Sequence, residues 1–296
     1  MIKALGIGDN VVDKYMHIST MYPGGNALNF AAYAKLFGAE TGYMGSFGDD
    51  EAAKHVYSVM QELKIDLTHC RFCKGENGYA EVKLESGDRV FIGSNQGGIN
   101  KNNPMVISEL DSEYIKGYDI VHTSIFSYIE EQLPVIRKCA GFISMDFSDR
   151  YTEEYLKRCA QYIDCACLSC SDMKDEDIVD LMKLVVQFGC KHIVIATRGA
   201  RGALVMVDGK LYEQSPCLVK AKDTMGAGDS FITCFLINYV GLMKDAVGFS
   251  KESGDKGITT ISEYQDSVVK VSLYKAAVFS AENCQKDGAF GHGKQF

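Results

Sequence analysis

The amino-acid sequence predicts an α/β fold in which helices flank a central, mostly parallel sheet and a small β-sheet projects as a lid. Apolar runs as long as buried strands recur along the chain, and polar segments that suit helices separate most of them. Residues 79–93 depart from this rhythm, because apolar and polar side chains alternate around a Ser-Gly-Asp turn, which is typical of a β-hairpin with one solvated face. The chain has 296 residues and is 46% hydrophobic, so we expect one domain over residues 1–296 with a large core.

The first elements alternate as this fold requires. They are a buried strand, a partly buried strand, a helix and a further strand, at residues 2–7, 11–18, 27–37 and 41–47. Gly24-Gly25-Asn26 opens the helix and Gly38 ends it. We assign residues 11–18 to the lid, together with residues 79–93.

The later part of the chain resumes the alternation. Buried strands are predicted in the runs DIVHTSI, GFISMDF, YIDCACLS and KHIVIAT, and the segments 152–162 and 174–188 suit helices. A second hairpin turns at Asp208-Gly209. Residues 248–266 are polar and rich in Gly and Ser, so we expect a surface insertion between two C-terminal helices.

The composition excludes several classes of protein. The formal net charge is −8 without a basic block, which argues against nucleic acids and membranes as partners. The longest apolar stretch, residues 231–242, is too short to cross a bilayer, and the N-terminal apolar run is too short for a signal peptide. The cysteine count of 11 is odd and the chain is long, so we expect reduced thiols and a cytoplasmic protein.

The segment DTMGAGDSF, residues 223–231, joins small residues to an apolar run that suits a buried helix. Gly226, Ala227 and Gly228 would lie at the helix N-terminus, where free N–H groups and the helix dipole attract anions. A carboxylate beside such a site repels phosphate but suits a general base. We therefore hypothesise that Asp229 deprotonates a hydroxyl while the amides stabilise a transferring phosphoryl group. The alternative is an N-cap aspartate beside a glycine-rich turn.

A second glycine loop, TRGARG, follows the predicted strand KHIVIAT. The carboxyl edge of a parallel sheet is where nucleotide phosphates bind, so Thr197, Arg198, Gly199 and Gly202 are candidates for a nucleotide contact. A plain β-turn into the next hairpin is the alternative. The chain has no G-x-x-x-x-G-K-[ST] segment, which excludes a P-loop protein.

Three motifs, in this order, resemble those of the ribokinase-like (PfkB) carbohydrate kinases: GGNALN, TRGARG and DTMGAGD. The resemblance implies a ribokinase-like fold and an ATP-dependent sugar kinase. The further stretches GDNVVDKY, DRVF, YDIVH and DFSD resemble the members of this family that phosphorylate fructosamines such as fructoselysine. Fructokinase, 2-keto-3-deoxygluconate kinase and nucleoside kinase stay open as alternatives, and so does a non-catalytic sugar-sensing protein on the same fold.

The resemblance also implies roles for individual residues. It makes Asp229 the base, places the transferring phosphate on the amides of residues 226–228, and assigns the loop 197–202 to ATP. The residues that match sugar-contacting positions, or lie among them, are Asp13, Gly25, Asn26 and Asn29. Asp223 and the turn at residues 283–288 match a region that holds a monovalent cation, K⁺, in relatives.

The sequence departs from the family at one motif and adds a candidate of its own. Where many relatives carry N-x-x-E to organise Mg²⁺, this chain has Ser169-Cys170-Ser171-Asp172, whose Ser169 and Asp172 we expect to act through water. Arg89, on the lid hairpin, is a candidate for binding a substrate carboxylate, and a solvated strand arginine is the alternative. The hairpin has an apolar face that it cannot bury alone, so we expect a homodimer through the lid.

Overall fold

The computed structural model describes residues 1–85, 88–252 and 258–296. It describes the side chains of these residues except within 86–89 and 247–263. Its strands are β1 (Lys3–Ile7), β2 (Val11–Tyr15), β3 (Thr20–Gly24), β4 (Glu40–Met44), β5 (Ser46–Phe47), β6 (Arg71–Phe72), β7 (Gly78–Glu85), β8 (Asp88–Ser94), β9 (Ile120–Ser124), β10 (Ile143–Asp146), β11 (Cys165–Ser169), β12 (Ile193–Thr197), β13 (Ala203–Val207), β14 (Lys210–Gln214) and β15 (Lys294–Gln295). Its α-helices are α1 (Asn26–Leu36), α2 (Glu51–Glu62), α3 (Ile99–Asn102), α4 (Glu109–Ile115), α5 (Leu133–Cys139), α6 (Glu153–Ala160), α7 (Asp175–Gln187), α8 (Ala227–Glu252) and α9 (Ile258–Asn283).

An eight-stranded sheet forms the centre of the molecule, in the order β14-β13-β12-β11-β10-β9-β1-β4. The strands from β12 to β4 pair in parallel, and β13 is antiparallel to both of its neighbours. The predicted α/β fold with a mostly parallel sheet is therefore confirmed. Parallel strands require a crossover on each connection, which places helices on both faces.

The two faces of this sheet bury different helices. Along β1, Leu5 and Ile7 pack into a cluster with buried residues of α5, α6 and α7. Ala4 packs into a cluster with Phe30 and Ala34 of α1 and with buried residues of α8 and α9. Successive side chains of a strand point to opposite faces, so an uninterrupted apolar run is what a sheet covered on both sides requires.

A second, five-stranded sheet has the order β15-β3-β2-β7-β8, and we call it the lid sheet. β2 and β7 pair in parallel, and the other pairs are antiparallel. The predicted small sheet is confirmed, and both segments assigned to it contribute strands. Two strands of this sheet are not predicted by the sequence: β3, whose Pro23 and Gly24 are typical of a loop, and β15, which has only two residues.

The region of the expected insertion at 248–266 is mostly helical where it is described. α8 continues to Glu252 and α9 begins at Ile258, and residues 253–257 lie outside the described residues. Over the described parts of the chain, none of the helices combines the length and the apolar character needed to cross a membrane.

Candidate active site

The N-terminus of α8 forms one side of the candidate site. α8 begins at Ala227, so Gly226 immediately precedes it and Asp229 lies half-buried in its first turn. Gly226 has φ +69°, and a Cβ added there would lie 2.3 Å from the Tyr33 hydroxyl oxygen and 2.9 Å from Cβ of Ala289. A Cβ added at Gly228 would meet no atom of the described part of the chain within 4 Å. The backbone therefore requires glycine at 226, while glycine at 228 leaves an open side on the first turn.

The first turn of α1 faces this helix end and holds two carboxylates. Asn29 donates from Nδ2 to Oδ2 of Asp229 at 2.7 Å, and Asn26 donates from Nδ2 to Oδ2 of Asp146 at 2.8 Å. Residues three apart on a helix are neighbours on one face, so the two amides lie side by side. Oδ1 of Asn29 is buried and has no hydrogen-bond partner among the described residues. It is an acceptor suited to a hydroxyl of a bound ligand.

Asp146, at the end of β10, is a site residue that the sequence analysis did not select. Burial raises the pKa of its carboxyl group to about 7, and the negative charges of Asp229 and, less strongly, Asp9 act in the same direction. Hydrogen bonds from the Ser148 amide, at 2.7 Å, and from Asn26 oppose that rise. The available signal was the stretch DFSD, which places an acid directly after a buried strand.

Asp9, directly after β1, was also missed as a site residue, and it anchors α1. Gly25 precedes the helix and offers no side chain as a cap. The Asp9 carboxylate instead accepts from the amides of Asn26, at 2.6 Å, and Ala27, at 3.2 Å, and from the hydroxyl groups of Ser124 and Ser127, at 2.7 and 2.9 Å. A carboxylate at a helix N-terminus also interacts favourably with the helix dipole.

Asp13 and Arg89 lie on the lid sheet. Asp13 is buried on β2 opposite Tyr22, and its Oδ2 would lie 2.3 Å from a Cβ added at Gly24. The carboxylate thus lies against the backbone that leads into α1. Arg89 pairs with Leu84 across β7 and β8, and its side chain lies outside the described residues.

The predicted nucleotide loop and the segment 169–172 lie side by side. Thr197 pairs with Ser169 at the carboxyl ends of β12 and β11, and the Cys170 amide donates to the Thr197 carbonyl oxygen at 2.8 Å. Gly199 begins a short 3₁₀ helix, Gly199–Arg201, and Gly202 follows it. Ser169 and Asp172 are both exposed at this edge. The structure therefore brings the predicted ATP residues to one place on the sheet.

Arg198 differs from the other residues of this loop, because its side chain binds groups of the protein. Its guanidinium group is buried and donates to Asp175 at 2.7 Å and to Glu213 at 2.9 Å. It also donates to the carbonyl oxygen of Arg201 at 3.0 Å. These contacts join the loop to α7 and β14, so Arg198 holds the loop in place.

Asp223 is fully buried just before the anion loop, residues 224–228, and its carboxylate is surrounded by protein donors. Oδ2 accepts from the Tyr15 hydroxyl at 2.6 Å and from the Gly288 amide at 2.8 Å, and Oδ1 accepts from the Met225 amide at 2.9 Å. The carboxylate that the resemblance matched to a monovalent-cation region is thus held by three donors of the chain itself.

The sequence of this chain is similar to those of known proteins. Residues 4–250 match the pfkB family carbohydrate kinases. This chain belongs to that family. It is 37% identical to fructosamine kinase FrlD of Bacillus subtilis (strain 168), over 99% of this chain and 94% of that protein. It is 31% identical to fructoselysine 6-kinase of Escherichia coli (strain K12), over 79% of this chain and 87% of that protein.

The fold of this pfkB kinase is also that of solved relatives. The structure of ribokinase from Giardia lamblia superposes with a TM-score of 0.77 at 16% identity, over 99% of this chain and 96% of that chain. The predicted ribokinase-like fold and the predicted carbohydrate kinase activity are thereby confirmed. Membership of the family implies ATP as the phosphoryl donor and a divalent metal ion.

Proposed function

We propose that this pfkB kinase transfers the terminal phosphoryl group of ATP to a hydroxyl group of a fructosamine, with fructoselysine as its substrate and the 6-hydroxyl as the acceptor. One observation carries the chemistry: Asp229 lies in the first turn of α8, next to Gly226–Gly228, and accepts a hydrogen bond from Asn29 at 2.7 Å. The choice of sugar rests on the identity of 37% with a fructosamine kinase over 99% of this chain.

In this proposal Asp229 takes the proton of the attacking hydroxyl group. The Asn29 amide fixes the direction of one of the carboxylate oxygens of Asp229. The amides of residues 226–228 stabilise the negative charge that moves onto the transferred phosphoryl group. The open side at Gly228 is where that group approaches.

ATP lies along the carboxyl ends of β11 and β12 in this proposal. The loop 197–202 contacts the phosphates, and Arg198 keeps that loop attached to α7 and β14. Ser169 and Asp172 would hold hydrated Mg²⁺ through water, since both are exposed beside the loop. Bound Mg²⁺ would neutralise phosphate charge. K⁺ is not part of the proposal, because the Asp223 carboxylate already accepts from three protein donors.

The sugar lies between α1 and the lid sheet in this proposal. Asp13 and Asn29 accept from its hydroxyl groups, and Gly25 allows the backbone a close approach. Arg89 binds the carboxylate of the amino-acid part, as a planar guanidinium suits a carboxylate. The backbone register supports this placement. Arg89 pairs with Leu84, and Asp13 pairs with Ala80. Leu84 and Ala80 are four residues apart on β7 and so belong to the same face of that strand.

The proposal includes a homodimer that forms through the lid sheet of a cytoplasmic protein. β8 is an edge strand, and it exposes 54% of Phe91 and 52% of Ile92. An edge strand with exposed apolar side chains is a pairing surface unless it is covered.

A substrate panel tests the function. ATP consumption is measured with fructoselysine, fructose, 2-keto-3-deoxygluconate and nucleosides, and kcat/KM is expected to be highest for fructoselysine. The Asp229→Asn variant is the control for background hydrolysis. A higher kcat/KM for another sugar would replace the substrate and keep the kinase. Sugar binding without ATP turnover would favour the sugar-sensing alternative.

A further inference from the structure

The buried Asp223 joins three parts of the molecule. Its carboxylate accepts from Tyr15 of the lid sheet, from the Met225 amide of the anion loop and from the Gly288 amide of the C-terminal turn, residues 283–289. The backbone amides of Lys222 and Asp223 donate in turn to the Cys284 carbonyl oxygen at 2.8 and 3.1 Å. Asp223 thus ties the lid and the C-terminal turn to the anion loop.

At this junction of the lid sheet, the anion loop and the C-terminal turn, backbone carbonyl oxygens also accept hydrogen bonds from the protein itself. The Met225 carbonyl oxygen accepts from Nδ2 of Asn283 at 3.2 Å, and the Ala289 carbonyl oxygen accepts from the Tyr33 hydroxyl group. A monovalent cation is held by several oxygens that turn their lone pairs towards one point. Here these oxygens and the Asp223 carboxylate instead accept from N–H and O–H groups of the protein, which direct partial positive charge at them.

A full positive charge lies beside the same junction. The Lys222 ammonium group pairs with Asp287 at 2.6 Å. The pKa of Lys222 is raised, chiefly by the hydrogen bond to Asp287 and by its charge, and the charge of Asp223 adds to the rise. Lys222 therefore pairs with the carboxylate of Asp287 in the turn and lies next in sequence to Asp223, which precedes the anion loop.

The turn lies directly against the anion loop. A Cβ added at Gly226 would lie 2.3 Å from the Tyr33 hydroxyl oxygen and 2.9 Å from Cβ of Ala289. The turn therefore packs closely against the backbone that precedes α8. The groups that fix the turn also fix the amides that we assign to the phosphoryl group.

We propose that Lys222 and Tyr15 are positioning residues that replace, with groups of the chain itself, the monovalent cation implied by the resemblance to the family. Lys222 supplies the charge, and Tyr15 supplies a donor to Asp223. Phosphoryl transfer by this kinase consequently needs no K⁺. The inference rests on the proposed function only in assigning the anion loop to the phosphoryl group.

The first test compares monovalent cations on the wild-type protein. At constant ionic strength, kcat and KM for ATP are measured in K⁺, Na⁺ and tetramethylammonium salts, with whichever sugar the substrate panel identifies. We expect the same values in all three. Activation by K⁺ of about fivefold or more, the lower end of typical coupling between sites, would overturn the proposal. The melting temperature in the same salts needs no sugar, so it is independent of the proposed function, and a rise specific to K⁺ would also count against the proposal.

The second test uses Lys222→Gln with Lys220→Gln as its matched control. Lys220 is exposed two residues earlier, on the same segment. Lys222→Gln is expected to raise KM for ATP or lower kcat by about fivefold or more, with partial restoration by K⁺ and none by tetramethylammonium. Lys220→Gln is expected to match the wild type in every salt. Equal behaviour of the two variants would overturn the role of Lys222.

The third test is Tyr15→Phe, which removes one donor from the buried Asp223. We expect a lower melting temperature and an activity that gains a dependence on K⁺. An activity that stays independent of K⁺ would overturn the role of Tyr15. If this variant does not fold, the surface variant Lys222→Gln decides the proposal.

Discussion

Replacing Gly228 by alanine should raise the stability of the protein and lower its kcat. An added Cβ meets nothing within 4 Å, and the residue is helical, so the protein can accept alanine without strain. Alanine in place of glycine within a helix stabilises by roughly 0.5–1 kcal/mol. The same methyl group occupies the open side where we propose that the phosphoryl group approaches. Displacing one donor of an anion site typically costs about 10²–10³ in kcat.

Gly226→Ala is the matched variant, and its stability should change in the opposite direction. Gly226 has φ +69°, and left-handed backbone costs a residue with a Cβ roughly 1–2 kcal/mol. The contacts with Tyr33 and Ala289 would add to this cost. Urea unfolding gives the free energy of unfolding for both variants, and steady-state assays give kcat. A Gly228→Ala variant that is stabilised and keeps the wild-type kcat would refute the position of the phosphoryl group.

Four further predictions follow from the same contacts. Asp229→Asn should lower kcat by about 10²–10⁴ and leave ATP binding intact, because it removes the base, and wild-type turnover of the purified variant would exclude that role. The pKa of Asp146 is raised from 3.8 to about 7, so the free energy of unfolding should fall as the pH rises between these two values. In that range the folded protein binds a proton that the unfolded chain has lost. Asp146→Asn should remove that fall in urea titrations at several pH values, and an unchanged pH dependence would contradict the assignment. Arg89→Ala should cost about 1.5–3 kcal/mol in kcat/KM for fructoselysine and less for fructose, and an equal loss on both sugars would make Arg89 a general lid residue. Ile92→Glu should dissociate the lid dimer in sedimentation at micromolar protein, whereas Leu218→Glu, at an exposed position elsewhere, should not, and a monomeric wild type would refute the dimer.

The parts of the fold that the sequence predicted are those whose signal is local. A buried parallel strand such as β12 needs an uninterrupted apolar run, and the run IVIA shows it directly. β3 was missed because TMYPG has the composition of a loop, and the segment is a strand through its pairing with β2. β15 pairs with β3 from the other end of the chain. Pairing between distant segments leaves no pattern within either of them.

The residues of the candidate site also divide into those with a local sequence signal and those without one. The anion loop and Asp229 were predictable because small residues, a helix start and a carboxylate follow one another within a few positions. Asp9 and Asp146 were not, since their roles depend on Asn26, which lies 17 and 120 residues away along the chain. A single aspartate after a strand is equally typical of a solvated turn. Only the folded contacts distinguish these two situations.

The contacts of α1 explain how the proposed base reaches its place. Asp9 receives the amides at the start of α1, so the end of β1 fixes where that helix begins. From this fixed start, Asn26 reaches the carboxylate at the end of β10, and Asn29 reaches Asp229 on α8. The helical spacing of the two asparagines relates the position of a sheet carboxylate to that of a helix carboxylate. One turn of α1 therefore transmits the geometry of the central sheet to Asp229. The pKa of Asp146 is raised chiefly by the burial of its carboxyl group, and the negative charge of Asp229 adds to that rise.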